Sequence, residues 1–295
     1  MSLEDTLANW TGPSNPSEQE RQDRTERMVR EAIQSHRPLS ECRLSVYAKG
    51  SYANDTNVRA DSDVDIAVQC HEAEYRKDES AGAHSPAPRH AGIWTPNKLR
   101  AEVGAALRAK FSGQVVDTGS TAFMVKSGTA RIDAHVVPCF DYRYYFSSGG
   151  FRDGTKIFRK NGGSFENFPA QQLENGSGKD TRTRTRYKKV VRVLKHAESA
   201  MVENLAHRSV PSFLIECLAY NCPDALFLRY SWTERVRDIL AHVWNGLEGG
   251  EPTEPSERWL EVNECKYLFD PNQNWTRSDG RDFAKAAWNY LGYGS

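Results

Sequence analysis

The sequence predicts an α+β fold in two parts, a first part built on a twisted mixed sheet with helices and an all-helical second part, meeting near residue 175. Three observations predict it. Short runs that alternate apolar and polar residues, bounded by Gly, Ser and Pro, recur between residues 42 and 140. From about residue 179 onward the apolar residues fall at helical spacing instead. The chain has 295 residues, 38% of them hydrophobic, enough for one large core or two small ones.

Composition excludes several classes. No apolar run approaches the roughly 20 residues of a membrane-crossing helix, and the start MSLEDTLANW lacks the basic-then-apolar order of a secretory signal, so a soluble cytoplasmic protein without a membrane partner is expected. Six cysteines are scattered without the spacing of a zinc site, which predicts reduced, mostly buried thiols. The formal net charge is zero, so any site for an anion must be local.

Taken in order, residues 17–36 carry Met28, Val29 and Ile33 in a charged background, an amphipathic helix with a wide solvated face, expected to bridge the two lobes. CRLSVYAKG (42–50) alternates as a strand and ends at a Gly-Ser corner. DVDIAVQC (63–70) is the next strand, and 71–92, rich in charge, Ala, Pro and Gly, is expected to be a mobile surface loop. Thr95-Pro96 suits the cap and first turn of a helix over 95–111, with Leu99, Val103, Ala106, Leu107 and Phe111 on one side. Three short strand-like runs follow, QVVDTGS, TAFMVKSG and TARIDAHVVPCF. The helical part reads as RYKKVVRVLKHAESAMVENLA, PSFLIECLAYNC, SWTERVRDILAHVWNGL and GRDFAKAAWNYLG.

The chemistry lies in the carboxylates. Side chains alternate along a strand, so Asp63 and Asp65 share one face while Val64, Ile66 and Val68 share the other. The same rule puts Asp133 on a face with Arg131 and His135, opposite Ile132, Ala134 and Val136. A neighbouring strand would add this third acid to the first two. Crowded carboxylates repel unless a cation intervenes, and hard oxygen donors without thiolates favour Mg²⁺. Two such ions would serve an in-line phosphoryl displacement. Upstream, Lys49-Gly50-Ser51-Tyr52 forms a strand-to-helix corner where backbone amides and a serine hydroxyl can hold a triphosphate.

Gly50-Ser51, eleven residues, Asp63-Val64-Asp65 and a later strand with Asp133 together resemble the polymerase-beta-type nucleotidyltransferase superfamily. The fuller segment KGSYANDTNVRADSDVDIAVQ is similar to the bacterial relatives of cyclic GMP-AMP synthase, the CD-NTases. RYKKVVRVLKHA, PSFLIECL and VNECKYLFDPNQNW extend the likeness over about residues 42–290, and FRDGTKIF with NFPAQQLENGSGKDTRTRTRYK points to the CdnE clade.

The resemblance implies a polymerase-beta-like catalytic core over 1–175, a helical domain over 176–295 and an active site in the cleft between them. It implies that Asp63, Asp65 and Asp133 are catalytic and hold two Mg²⁺ ions, with Mn²⁺ as a substitute, and that Gly50, Ser51, Lys195 and Ser212 contact the triphosphate. Phe213 stands where an aromatic ring stacks on the nucleobase, though it also reads as a core phenylalanine. Lys188, Arg192 and Lys195 share one helix face, either a cationic stripe toward phosphates or a solvated surface, and Arg182, Arg184 and Arg186 read as a basic approach to it. Asp133 is expected to orient the attacking hydroxyl, with His135 as the other candidate.

The implied activity is synthesis of a cyclic di- or trinucleotide second messenger from nucleoside triphosphates, read by a separate effector in antiphage defence. A monomer is expected, either always active or awaiting a phage-derived trigger such as a nucleic acid, with the 71–92 loop and the basic 179–195 stretch as places where a ligand could act. A template-independent RNA-tailing or tRNA nucleotidyltransferase is the alternative; it calls for a long basic surface, and a neutral net charge with one local basic segment argues mildly against it. An antitoxin-type transferase leaves the helical half unexplained, and a degenerate binding module leaves the three acids and the Gly-Ser unexplained.

Overall fold

A computed structural model describes residues 1–13, 16–58, 63–79, 89–90, 93–117, 119–204 and 208–294. In chain order the elements are α1 (Leu3–Asn9), α2 (Pro16–Ser35), β1 (Leu44–Lys49), α3 (Gly50–Ala53), β2 (Val64–Asp78), β3 (Arg89–His90), α4 (Pro96–Lys110), β4 (Val115–Val116), β5 (Phe123–Val125), β6 (Ala134–Tyr145), β7 (Phe151–Phe158) and β8 (Ser164–Asn167). The helical part continues with α5 (Pro169–Arg182), α6 (Tyr187–Glu203), α7 (Ser212–Tyr220), α8 (Asp224–Phe227), α9 (Trp232–Gly246) and α10 (Arg277–Tyr290). No helix among the described residues is long and apolar enough to cross a membrane.

Two compact units divide the chain. One holds Asn15–Ala53 and Arg59–Pro169, the other Met1–Ser14, Asn54–Val58 and Ala170–Ser295. The partition is finer than a single break near 175, because both the first residues and a short piece of the Gly50–Asp63 connection pack with the helices.

The sheet unit is mixed. Strand order is β1-β2-β6-β5-β4, with β3 on β2, β7 on β6 and β8 on β7. β2 and β6 run parallel, while β1, β5 and β7 are antiparallel to their neighbours. The alternation in β2 and β6 sends Val64, Ile66, Val68, Ala134, Val136 and Phe140 into one core with Val29 and Ile33 of α2 and Leu99, Val103 and Leu107 of α4. On the opposite face a small cluster of Ala67, Val137, Cys139 and Ile157 lies beside the acids. The buried stripe of α4 follows the predicted spacing, and Thr95 caps the helix by accepting from the Lys98 amide.

Two expectations are corrected. The loop expected over 71–92 is strand through Asp78, since Glu74–Asp78 pair with Asp141–Tyr145 of β6 and Ala73–Glu74 pair with β3. Cross-strand pairing supplies the order that the charged string HEAEYRKD does not advertise. Residues 80–88 and 91–92 of that stretch lie outside the described residues. Helix also begins earlier than 179: α5 starts at Pro169 and buries Gln172, Gly176 and Lys179, a stripe at spacings of four and three.

The helical unit packs around α6, which buries Tyr187, Val190, Val191, Val193, Leu194, Ala197 and Met201 against α7, α9 and α10. α1 joins this unit through Glu4, whose carboxylate accepts from the Trp232 and Thr233 amides at the start of α9. None of the six cysteines is in a disulfide, and five are buried.

Candidate functional site

The acids stand where β2 and β6 begin. Asp63 immediately precedes β2, Asp133 immediately precedes β6, and the Val64 amide donates to the Asp133 carbonyl at 3.0 Å. In the parallel register Asp65 is directly opposite His135. Strand alternation then puts Asp63, Asp65, Asp133 and His135 on one face, with the buried Val64, Ile66 and Ala134 behind them. His135 Nδ1 lies 3.5 Å from Asp63 Oδ2 and 3.9 Å from Asp65 Oδ1.

The electrostatics reflect this crowding. The Asp63 carboxyl is held above the usual carboxylate range, chiefly by burial and further by Asp133 and Asp65, while His135 opposes the shift. Asp63 and Asp65 are partly exposed at 36% and 39%, so their oxygens remain reachable. Among the described residues no three His, Cys, Asp or Glu groups converge as a ready metal cage. Asp133 Oδ1 accepts from the Ser127 amide, which turns that carboxylate toward its own hairpin and leaves its second oxygen for another partner.

The Gly-Ser corner lies across from these acids. Gly50 has φ +71°, the left-handed region that favours glycine, and it opens α3 directly after Lys49, which pairs with Asp65 in the β1–β2 register. Ser51 follows in the same turn, and Tyr52 holds the turn to α2 by donating to Asp23 Oδ1 and accepting from Gln19 Nε2 at 3.2 Å.

Beside the acids opens a cleft of about 430 Å³, lined among others by Lys49, Asp65, Thr121, Met124, His135, Phe165 and Asn167. It lies wholly within the sheet unit. Its walls combine apolar surface from Val137, Ile157 and Phe165 with a few polar ends, the usual make-up of a small-molecule site. No motif in the sequence assigns a role to Lys49 or points to Thr121, Met124, Phe165 and Asn167. Only the register of β1 with β2, of β6 with β5 and of β7 with β8 brings these residues to one place.

Lys195, Ser212 and Phe213 belong to the helical unit. Lys195 is only 3% exposed; its Nζ donates to Thr56 O at 3.0 Å and Thr56 Oγ1 at 3.3 Å, and pairs with Glu216 at 3.5 Å. Glu216 in turn accepts from Thr56 Oγ1 and Gln172 Nε2. Arg192 is equally buried and donates to the Thr11 and Asp55 carbonyls. Neither open reading of the stripe describes these two side chains: they are neither solvated nor directed outward, because buried oxygens on distant segments compensate their charge. Lys188, half-buried, bonds Ser177. Ser212 is exposed in the first turn of α7, one turn before Glu216. Phe213 packs on the helical core, edge-on to Trp275 at 6.2 Å.

Relatives carry the same architecture. The model of the cGAS/DncV-like nucleotidyltransferase C-terminal helical domain matches residues 174–292. The chain is 34% identical to the cyclic dipyrimidine nucleotide synthase CdnE of Legionella pneumophila, over 98% of this chain and 97% of the relative. It is 33% identical to the enzyme of the same name from Cecembia lonarensis, over 98% of each. A solved structure of the Elizabethkingia meningoseptica CdnE cyclic dinucleotide synthase with GTP and Apcpp superposes with a TM-score of 0.80 at 28% identity, covering 98% of this chain and 99% of that one. The chain belongs to the cGAS/DncV-like nucleotidyltransferases, the CD-NTases, alongside the CdnE enzymes.

Proposed function

We propose that this protein is a cyclic-oligonucleotide synthase that joins two or three nucleoside triphosphates through successive nucleotidyl transfers and ring closure, releasing pyrophosphate. One observation carries the reading: the parallel β2–β6 register stands Asp65 beside His135 and brings Asp63 and Asp133 to the same edge, opposite the Gly50-Ser51 corner. The likeness to full-length cyclic nucleotide synthases supports it over RNA tailing.

Asp63 and Asp65 would hold Mg²⁺, with Asp133 joining through the oxygen that Ser127 does not occupy. Hard oxygen donors fit that ion, and Asp133 and Asp65 add to the burial that holds the Asp63 carboxyl above its usual range. When bound, the ions lower the acceptor hydroxyl's pKa and neutralise charge on the phosphates. The chain's own residues do the rest. Gly50 lets the backbone approach the triphosphate closely, Ser51 offers a hydroxyl, and Asp133 orients the attacking ribose hydroxyl. Ser212, exposed in the first turn of α7, would be a further triphosphate contact. The product serves as a second messenger for a separate effector in antiviral defence, made by a monomer in the cytoplasm.

The test is incubation of the purified protein with Mg²⁺ and all four triphosphates, followed by mass spectrometry. Cyclic products with matching pyrophosphate release are expected; products that appear only when an RNA primer is added would sink the proposal.

A further inference from the structure

The row of side chains across the sheet runs Lys49 on β1, Asp65 on β2, His135 on β6 and Met124 on β5, each in register with the next. Paired residues on adjacent strands share a face, so Lys49 shares the acid face. Its ammonium does not form an ion pair with Asp65, its own cross-strand partner, and among the described residues it meets no hydrogen-bond or ion-pair partner. The side chain lines the cleft instead. Further along the same face of β6 the cleft wall turns apolar, with Val137 and Ile157 in its lining.

A half-buried ammonium without a partner of its own, at the wall of a cleft, can donate to a ligand that brings an oxygen acceptor there. We propose that Lys49 is a substrate-contacting residue, its ammonium donating to an oxygen of the nucleotide that occupies the cleft lined by Asp65, His135, Phe165 and Asn167. The proposal rests on the nucleotidyltransferase reading of the acid site. The oxygen belongs either to a phosphate or to a carbonyl on the base, two sources with the same recognition chemistry. Lysine suits either, being a compact point charge with three rotatable donors.

The experiment is calorimetric titration of the four non-hydrolysable α,β-methylene triphosphates, with Mg²⁺, into wild type, Lys49→Met and Lys49→Arg. Lys49→Met is expected to weaken binding by about tenfold or more, the scale of one charge-assisted hydrogen bond. Lys49→Arg recovers most of the loss. A loss equal for all four bases identifies a phosphate contact, and a loss that spares adenine, which has no carbonyl, identifies a base contact. If Lys49→Met binds every analogue as wild type does while melting at the same temperature, the proposal is wrong. Wild type that binds the analogues but releases no pyrophosphate from natural triphosphates refutes the nucleotidyltransferase reading and leaves Lys49 judged by affinity. Wild type that binds none of them refutes the Lys49 contact outright.

Discussion

A Cβ added to Gly50 would stand 2.5 Å from Oδ2 of Asp65 and 3.3 Å from its Cγ. The glycine of the strand-to-helix corner and the Asp65 carboxylate are thus packed against each other, and the left-handed backbone at Gly50 adds a second reason for glycine there. Gly50→Ala is expected to cost about 1–2 kcal/mol from the backbone alone. It also displaces Asp65, so pyrophosphate release should fall by two orders of magnitude or more. In an Asp65→Ala background the same substitution should destabilise less, because the clash is gone. Equal destabilisation in both backgrounds, by urea unfolding, would break the link.

Asp63 supplies the pH prediction. Its folded pKa is raised, mainly by burial and then by Asp133 and Asp65. A carboxyl with a raised folded pKa binds its proton more tightly in the native state, so its ionised form is a penalty present in full above the folded pKa and absent below the unfolded value of about 3.9. Asp63→Asn should therefore raise the melting temperature of the metal-free protein at pH 7 and do little at pH 4, while abolishing turnover. Mg²⁺ should raise the wild-type melting temperature at pH 7 and fail to do so in Asp63→Asn. A metal-free variant that melts below wild type at pH 7 would contradict the sign.

How much of this was legible follows from what kind of rule each residue obeys. Strand alternation is geometry, so the faces of Asp63, Asp65, Val64 and Ile66 could be read before any partner strand was known. The register that seats Lys49, Asp65, His135 and Met124 in one row is a non-local pairing, and four separate segments supply it. No window of sequence contains it. The continuation of β2 through Asp78 failed for the same reason, since its order comes from β6 and β3. Arg192 and Lys195 show the limit for charge: a basic residue on a helix reads as solvated unless its buried partners are known, and here they are Thr11, Asp55, Thr56 and Glu216.

Lys195 and Ser212 should separate in their variants. Lys195→Met leaves Glu216, 3% exposed, without its cation, an uncompensated buried charge worth about 3–5 kcal/mol. The helical unit should lose that stability by denaturant unfolding, and Lys195→Met/Glu216→Gln should recover part of it. Ser212→Ala, at an exposed position, should raise the KM for triphosphate without moving the melting temperature. A Lys195→Met protein as stable as wild type would show that the Thr56–Glu216 pocket does not depend on the ammonium.

Glu4 gives a stability test remote from the chemistry. Burial pushes its carboxyl up, but the Thr233 hydroxyl and the Trp232 and Thr233 amides outweigh burial and hold it below the usual range. These bonds satisfy the open end of α9, where Glu4 Oε2 is 2.8 Å from the Thr233 amide. A lowered folded pKa means the contribution is present above the unfolded value of about 4.3 and is lost as pH falls through the folded one. Glu4→Gln should cost about 1 kcal/mol at pH 7, in the range of a lost helix cap. The difference between the two proteins should shrink as pH falls below 4. If Glu4→Gln melts with wild type at neutral pH, α1 contributes packing through Leu7 but no cap to α9.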